Sequence, residues 1–253
     1  MNQPEVPPPW EAPPPPPPPE KYPFWNYLDV LAAGAVAVQL LLIVFLSIHF
    51  LFWIKGWNLA NKVVPLLLAQ FLFYLLWFLF LYGWIRLRYG RPFWRSLAWV
   101  VPRQGLWSSF TWGLLTAGFV IGLGAVVGYF WPLRSEVPLL ELLRDRVSIV
   151  LVGAFAVTLG PLCEELAFRG FLQPLLVRSL TAVPGILLTA LLFASLHGSE
   201  YGWSWQHLLL ITVAGVAFGW MRHRSGSTAT SAAMHSAYNL AFFVVALAQR
   251  TPQ

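Results

Sequence analysis

Residues 147–178 read VSIVLVGAFAVTLGPLCEELAFRGFLQPLLVR. Most of this stretch is apolar and uncharged, and about 20 helical residues suffice to cross a hydrocarbon core about 30 Å thick. Two adjacent carboxylates, Glu164 and Glu165, interrupt it, with an arginine, Arg169, four residues after the second. The run is too long for one straight crossing, and Pro161 and Pro174 are expected to kink or break it. Prolines are tolerated in membrane helices where neighbours satisfy the freed backbone groups. The stretch therefore reads as a broken membrane helix that carries ionisable groups.

Six further apolar runs surround it, near 28–54, 63–85, 107–131, 184–198, 207–222 and 228–248. Together they predict an all-α fold, a polytopic membrane helix bundle of about seven transmembrane helices, with six to eight compatible. Composition agrees, because the chain is 58% hydrophobic and 10% charged, against roughly 25% charged residues in soluble domains. Tryptophans at run ends (Trp53, Trp57, Trp84, Trp94, Trp107, Trp131, Trp203, Trp205) suit headgroup level. The net charge of +6 does not indicate nucleic acid, since no reading module accompanies it. Arg86, Arg88, Arg91, Arg95 and Arg103 fall in one connection, where the positive-inside rule accounts for them. With that loop cytoplasmic, the amino terminus, Arg178, Arg222 and Arg224 are cytoplasmic too. The expected location is the inner or plasma membrane of a bacterium, and no cleavable signal peptide is visible.

Three zones follow. Residues 1–25 are a proline-rich cytoplasmic tail expected to be disordered and to sample polyproline II, either as a semi-rigid tether or as a site for a proline-recognition partner. Residues 26–146 hold amino-terminal membrane helices and loops, with the charged 132–146 segment expected at an interface. Residues 147–248 hold the remaining helices and almost all of the intramembrane polar groups.

An ionisable group deep in a bilayer costs a few kcal/mol on insertion scales, so each one is a functional hypothesis. Glu165 and Arg169 stand at i, i+4 in the favourable order for a pair on one helix face. Glu164 lies about 100° around the helix. A pair that only fixes packing would account for Glu165 and Arg169 and leave Glu164 without a purpose. If Pro161 restarts the helix, both glutamates occupy its first turn, where the dipole favours their charge. The fifth run ends on Phe193-x-x-x-His197, and the last places His235 and Asn239 at i, i+4. At 1.5 Å per residue, Glu164 lies roughly 20 Å from Arg178, His197 roughly 20 Å from Pro184, and His235 roughly 13 Å from Gly226. All three can reach one depth. His49, His207, His223 and Cys163 read as ordinary packing or interface residues.

The motifs E-E-x-x-x-R (Glu164, Glu165, Arg169), F-x-x-x-H (Phe193, His197) and H-x-x-x-N (His235, Asn239) resemble those of the CPBP family, the CAAX proteases and bacteriocin-processing (Abi) intramembrane endopeptidases. Gly215 and Gly219, followed by Gly226 and Ser227, also look family-like, and small residues let helices approach closely. The resemblance covers roughly 147–245. It implies an endopeptidase acting on a membrane protein or peptide within the lipid bilayer. It further implies that Glu164 and His197 activate water while His235 and Asn239 stabilise the oxyanion. Amide hydrolysis needs that division of labour. Glu165, Arg169 and Phe193 are then supporting residues.

Glu164, His197 and His235 would also make a catalytic set for a single zinc, with an open position for water. The missing His-Glu-x-x-His helix favours catalysis without a cofactor. Two other classes stay open. A transporter would use the same groups as a proton relay, but no inverted repeat supports it. An inactive immunity or scaffold protein would keep the fold without the chemistry.

Overall fold

The computed structural model describes residues 21–55, 63–102, 105–132, 138, 142, 143 and 145–248. Residues 1–20 of the proline-rich tail, and most of the charged segment before residue 145, lie outside the described residues. Among the described residues every regular element is helical. They are α1 (Tyr27–Ile54), α2 (Val63–Gly83) running on as a π turn (Trp84–Arg88), α3 (Phe93–Ser96) and α4 (Gly105–Phe130). There follow α5 (Arg146–Val157), α6 (Leu159–Glu165), a π segment (Leu166–Leu172) and α7 (Gln173–Leu180), which form one broken rod. The chain closes with α8 (Ala182–Leu196), a 3-10 turn (Gly198–Tyr201), α9 (Trp205–Ser225) and α10 (Thr228–Ala248).

Helices occupy all seven expected runs in order, and the protein is an all-α polytopic bundle of an integral membrane protein. Five helical runs are long and apolar enough to cross a membrane: Tyr27–Ile54, Val63–Arg88, Gly105–Phe130, Arg146–Leu180 and Thr228–Ala248. α8 is apolar but only 15 residues long. α1 exposes Leu41, Leu42, Phe45 and Leu46, a surface suited to lipid rather than water.

The rod breaks where proline chemistry requires. Pro161 cannot donate to the carbonyl four residues back, and its ring clashes there. Accordingly α5 stops at Val157, and Thr158 leaves helical geometry at φ −120° and ψ −79°. The helix resumes at Leu159, two residues before the proline. Glu164 and Glu165 are therefore the last two residues of α6, not part of its first turn as the sequence suggested. Pro174 repeats the effect one stage later. It withholds a donor from the carbonyl of Gly170, and the rod widens into the π segment just before α7.

Small residues set the close contacts. A Cβ on Gly113 would lie 2.2 Å from Met234 O and 2.7 Å from Ala237 Cβ, so α4 and α10 touch backbone to backbone. Gly215 packs on Ala190 and Gly219 on Ile186, joining α9 to α8.

An amino-terminal strap, residues 22–25, closes one end. Trp25 is buried, stacks on Phe171 at 5.3 Å and donates from Nε1 to Phe171 O at 3.0 Å. Arg178 donates to Pro23 O and to Trp25 O, and Arg222 donates to Tyr22 Oη at 3.0 Å. Trp25 shares a core with Ile85, Phe93, Leu97 and Leu175. Arg178, Arg222 and the 85–97 connection thus meet at one end of the bundle. Asn26 caps α1 in a reciprocal box with Asp29. The buried Asp29 carboxylate also accepts from Trp84, Tyr89 and Arg88, fastening α1 to the end of α2.

Candidate active site

The polar centre is built around Glu165. It is fully buried, and its Oε1 accepts from Arg169 Nη1 at 2.8 Å and from His235 Nδ1 at 3.0 Å. The i, i+4 pair foreseen in the sequence forms, and the same oxygen also orients a histidine from α10. Arg169, equally buried, uses Nη2 to reach Gly215 O at 3.1 Å. Gln173, four residues further, donates to Gly219 O at 2.9 Å. Two side chains spaced i, i+4 on the rod thus dock on two glycine carbonyls spaced i, i+4 on α9. Those glycines do more than permit close packing, because without a Cβ they leave their own carbonyls within reach of the rod.

Glu164 turns the other way. Its side chain is 17% exposed against 0% for Glu165, so of the two carboxylates only Glu164 can meet solvent or substrate. Its Oε2 lies 3.9 Å from His235 Nε2, and its Oε1 accepts from Tyr74 Oη on α2 at 2.8 Å. His235 therefore stands between the two glutamates, one on each ring nitrogen. The ring is stacked on Phe218 at 4.8 Å and edge-on to Phe193 at 5.7 Å, which fixes its plane.

His197 ends α8 and bonds through Nδ1 to Phe193 O at 2.9 Å. A carbonyl only accepts, so Nδ1 donates in this bond and Nε2 is the ring nitrogen left facing away from the helix backbone. Phe193 packs between the two histidines, 4.5 Å from His197, with the Arg169 guanidinium 4.5 Å over its face. Its place in the motif is thus to separate the histidines while shielding the buried cation. Asn239 donates from Nδ2 to Ala156 O at 2.8 Å, next to the break in the rod. That uses one of its two amide hydrogens.

The structure brings Glu164, Glu165, Arg169, Phe193 and His235 into one connected cluster. His197 joins it through Phe193, with no hydrogen bond to Glu164 among the described residues. Asn239 lies one turn along α10 from His235. Two participants carried no readable signal. Tyr74 is one aromatic in an aromatic-rich helix, and Glu200 sits in the 3-10 turn after His197. Burial pushes the Glu200 carboxyl up from its ordinary value; His197 opposes this and Glu164 adds to it, so Glu200 is within electrostatic reach of both. Among the described residues no three His, Cys, Asp or Glu side chains converge as a metal-binding group.

Residues 146–241 match the family model described as type II CAAX prenyl endopeptidase Rce1-like. The match agrees with the resemblance to the CAAX proteases that the motifs carry. No curated protein and no solved structure matches the chain. The matched segment begins at the first residue of α5 and ends within α10, so it contains every motif residue and none of α1, α2 or α4.

Proposed function

We propose that the protein is an intramembrane endopeptidase that hydrolyses a peptide bond in a membrane-associated protein or peptide, using Glu164 and histidine to activate water. One observation carries the reading. His235 lies between a sealed glutamate that orients it and an accessible glutamate free to act.

The 3.9 Å between Glu164 Oε2 and His235 Nε2 is too long for a direct hydrogen bond and suits one bridging water. Glu164 takes a proton from that water as its oxygen attacks the scissile carbonyl, with the His197 Nε2 lone pair assisting on the second water hydrogen. Negative charge collects on the carbonyl oxygen. His235, anchored at Nδ1 by Glu165, presents Nε2–H to that oxygen in its imidazolium form, and the second amide hydrogen of Asn239 completes the donor pair. As the C–N bond breaks, the proton held by Glu164 passes to the leaving amine. No step is routed through a metal. The end of the bundle that holds the strap and the arginines is placed on the cytoplasmic side of a bacterial inner or plasma membrane. The domain division is likewise proposed: an amino-terminal tail, the helices up to residue 146, and a catalytic core over 147–248.

The test compares new protein amino termini in membranes of cells carrying the wild type or Glu164→Gln. Cleavage at the enzyme's sites should fall about 10²- to 10⁴-fold, and His197→Ala and His235→Ala should fall with it while the protein accumulates normally. A wild-type cleavage pattern in Glu164→Gln would leave the transporter and scaffold readings standing. Activity that survives exhaustive chelation supports the metal-free route, and loss restored by zinc overturns it.

A further inference from the structure

The contact between Tyr74 and Glu164 crosses the boundary of the family match, which starts at residue 146. Tyr74 lies midway along α2, nine residues after Pro65, which with Val63 is buried at the start of that helix. Its ring stacks on Phe155 of α5 at 5.8 Å with the planes 17° apart, which directs the hydroxyl at the rod. That hydroxyl donates to Glu164 Oε1 at 2.8 Å and accepts from Gln70 Nε2 at 3.3 Å. Val63 and Leu67 pack with Leu143, Ile149 and Val152 and hold α2 against α5. A chain of donors, Gln70 to Tyr74 to Glu164, therefore runs through an otherwise apolar helix.

We propose that Tyr74 is a positioning residue for Glu164, holding Oε1 so that Oε2 faces His235 and the water to be activated. The proposal rests on the reading of Glu164 as the base. A glutamate at the end of α6 has three rotatable torsions, and neither Glu165 nor Arg169 hydrogen-bonds to it among the described contacts. Tyr74 fixes one oxygen, and a fixed carboxylate loses less on reaching the transition state. The catalytic arrangement is then completed by a helix outside the family segment, so residues 146–241 alone would not hold Glu164 in place.

Tyr74→Phe keeps the ring stack and removes only the hydroxyl. Assays use a farnesylated CAAX peptide in detergent and the release of new amino termini in native membranes. A hydrogen bond to a charged group predicts a kcat loss of about 10- to 100-fold with KM unchanged. Gln70→Leu should lower kcat about 2- to 10-fold when Tyr74 is present and have no effect in Tyr74→Phe. A packing contact alone would not produce that dependence. Melting temperatures of Tyr74→Phe, Glu164→Gln and the double variant form a cycle that reads the contact without any substrate, and non-additive shifts are expected. Wild-type turnover in Tyr74→Phe with Glu164→Gln inactive overturns this inference alone. Activity in Glu164→Gln overturns the base assignment and this inference with it.

Discussion

Arg169→Ala tests whether the buried pair supports the site or merely accompanies it. Arg169 and Glu165 have no exposed side-chain surface. The substitution takes the cation away from a carboxylate in the bundle interior that otherwise bonds His235. Removing one partner of such a pair costs about 3–5 kcal/mol, and the lost hydrogen bond to Gly215 O adds about 1 kcal/mol. A domain is typically stable by about 5–15 kcal/mol, so the variant should accumulate poorly and melt far below the wild type in detergent. Arg169→Lys should also fail in part, because an ammonium cannot reproduce the fork that spans Glu165 and Gly215. Replacing both members, Glu165→Leu with Arg169→Met, should recover much of the accumulation, since the desolvation of both charges is relieved. It should not recover activity, because His235 loses the acceptor on Nδ1. Fluorescence of a carboxy-terminal fusion measures accumulation, and thermal melting measures stability. Wild-type accumulation and melting of Arg169→Ala would refute the supporting role.

Two further outcomes follow from the geometry. Gly113→Ala puts a methyl group 2.2 Å from Met234 O and should cost about 1–3 kcal/mol as α4 and α10 separate, read as a lower melting temperature. Gly118→Ala, with nothing within 4 Å of its Cβ, should match the wild type. Asp145 caps α5, and the hydroxyl and amide of Ser148 hold its carboxyl below the usual range. A lowered folded-state value means the cap stabilises fully above the ordinary carboxylate pKa and is lost as pH falls through the lowered one. Asp145→Asn should therefore flatten that part of the melting-temperature profile under acid.

The spans were legible because a bilayer imposes one strong requirement, long apolar runs, and each run is helical close to its expected limits, the fourth as a broken rod. Glu164, Glu165, Arg169, His197, His235 and Asn239 were legible for the converse reason, as polar groups where such groups are costly. The bond between Glu165 and His235 was not, because helical spacing places a residue on its own helix and says nothing about the helix it faces. Tyr74 was hidden by its setting, one tyrosine among Phe71, Phe73, Trp77 and Phe78. The position of the glutamates within α6 was misjudged because a proline disrupts the turn before it, and the break fell at Thr158 rather than at Pro161.

The strap has a consequence for assembly. Its hydrogen bonds join residues 146 and 200 positions apart, Trp25 to Phe171 and Tyr22 to Arg222. α1 and α2 are long and apolar enough to enter a bilayer singly, but Leu166, Phe171 and Leu175, which complete the core around Trp25, come much later in the chain. Closing loops of that length carries an entropic cost that local helix formation does not. The early helices can fasten to each other through Asp29, but the strap cannot close until the π segment and α9 arrive. Tyr74 reaches Glu164 across that same late junction, so the protein cannot hold a finished active site before its helices have finished assembling.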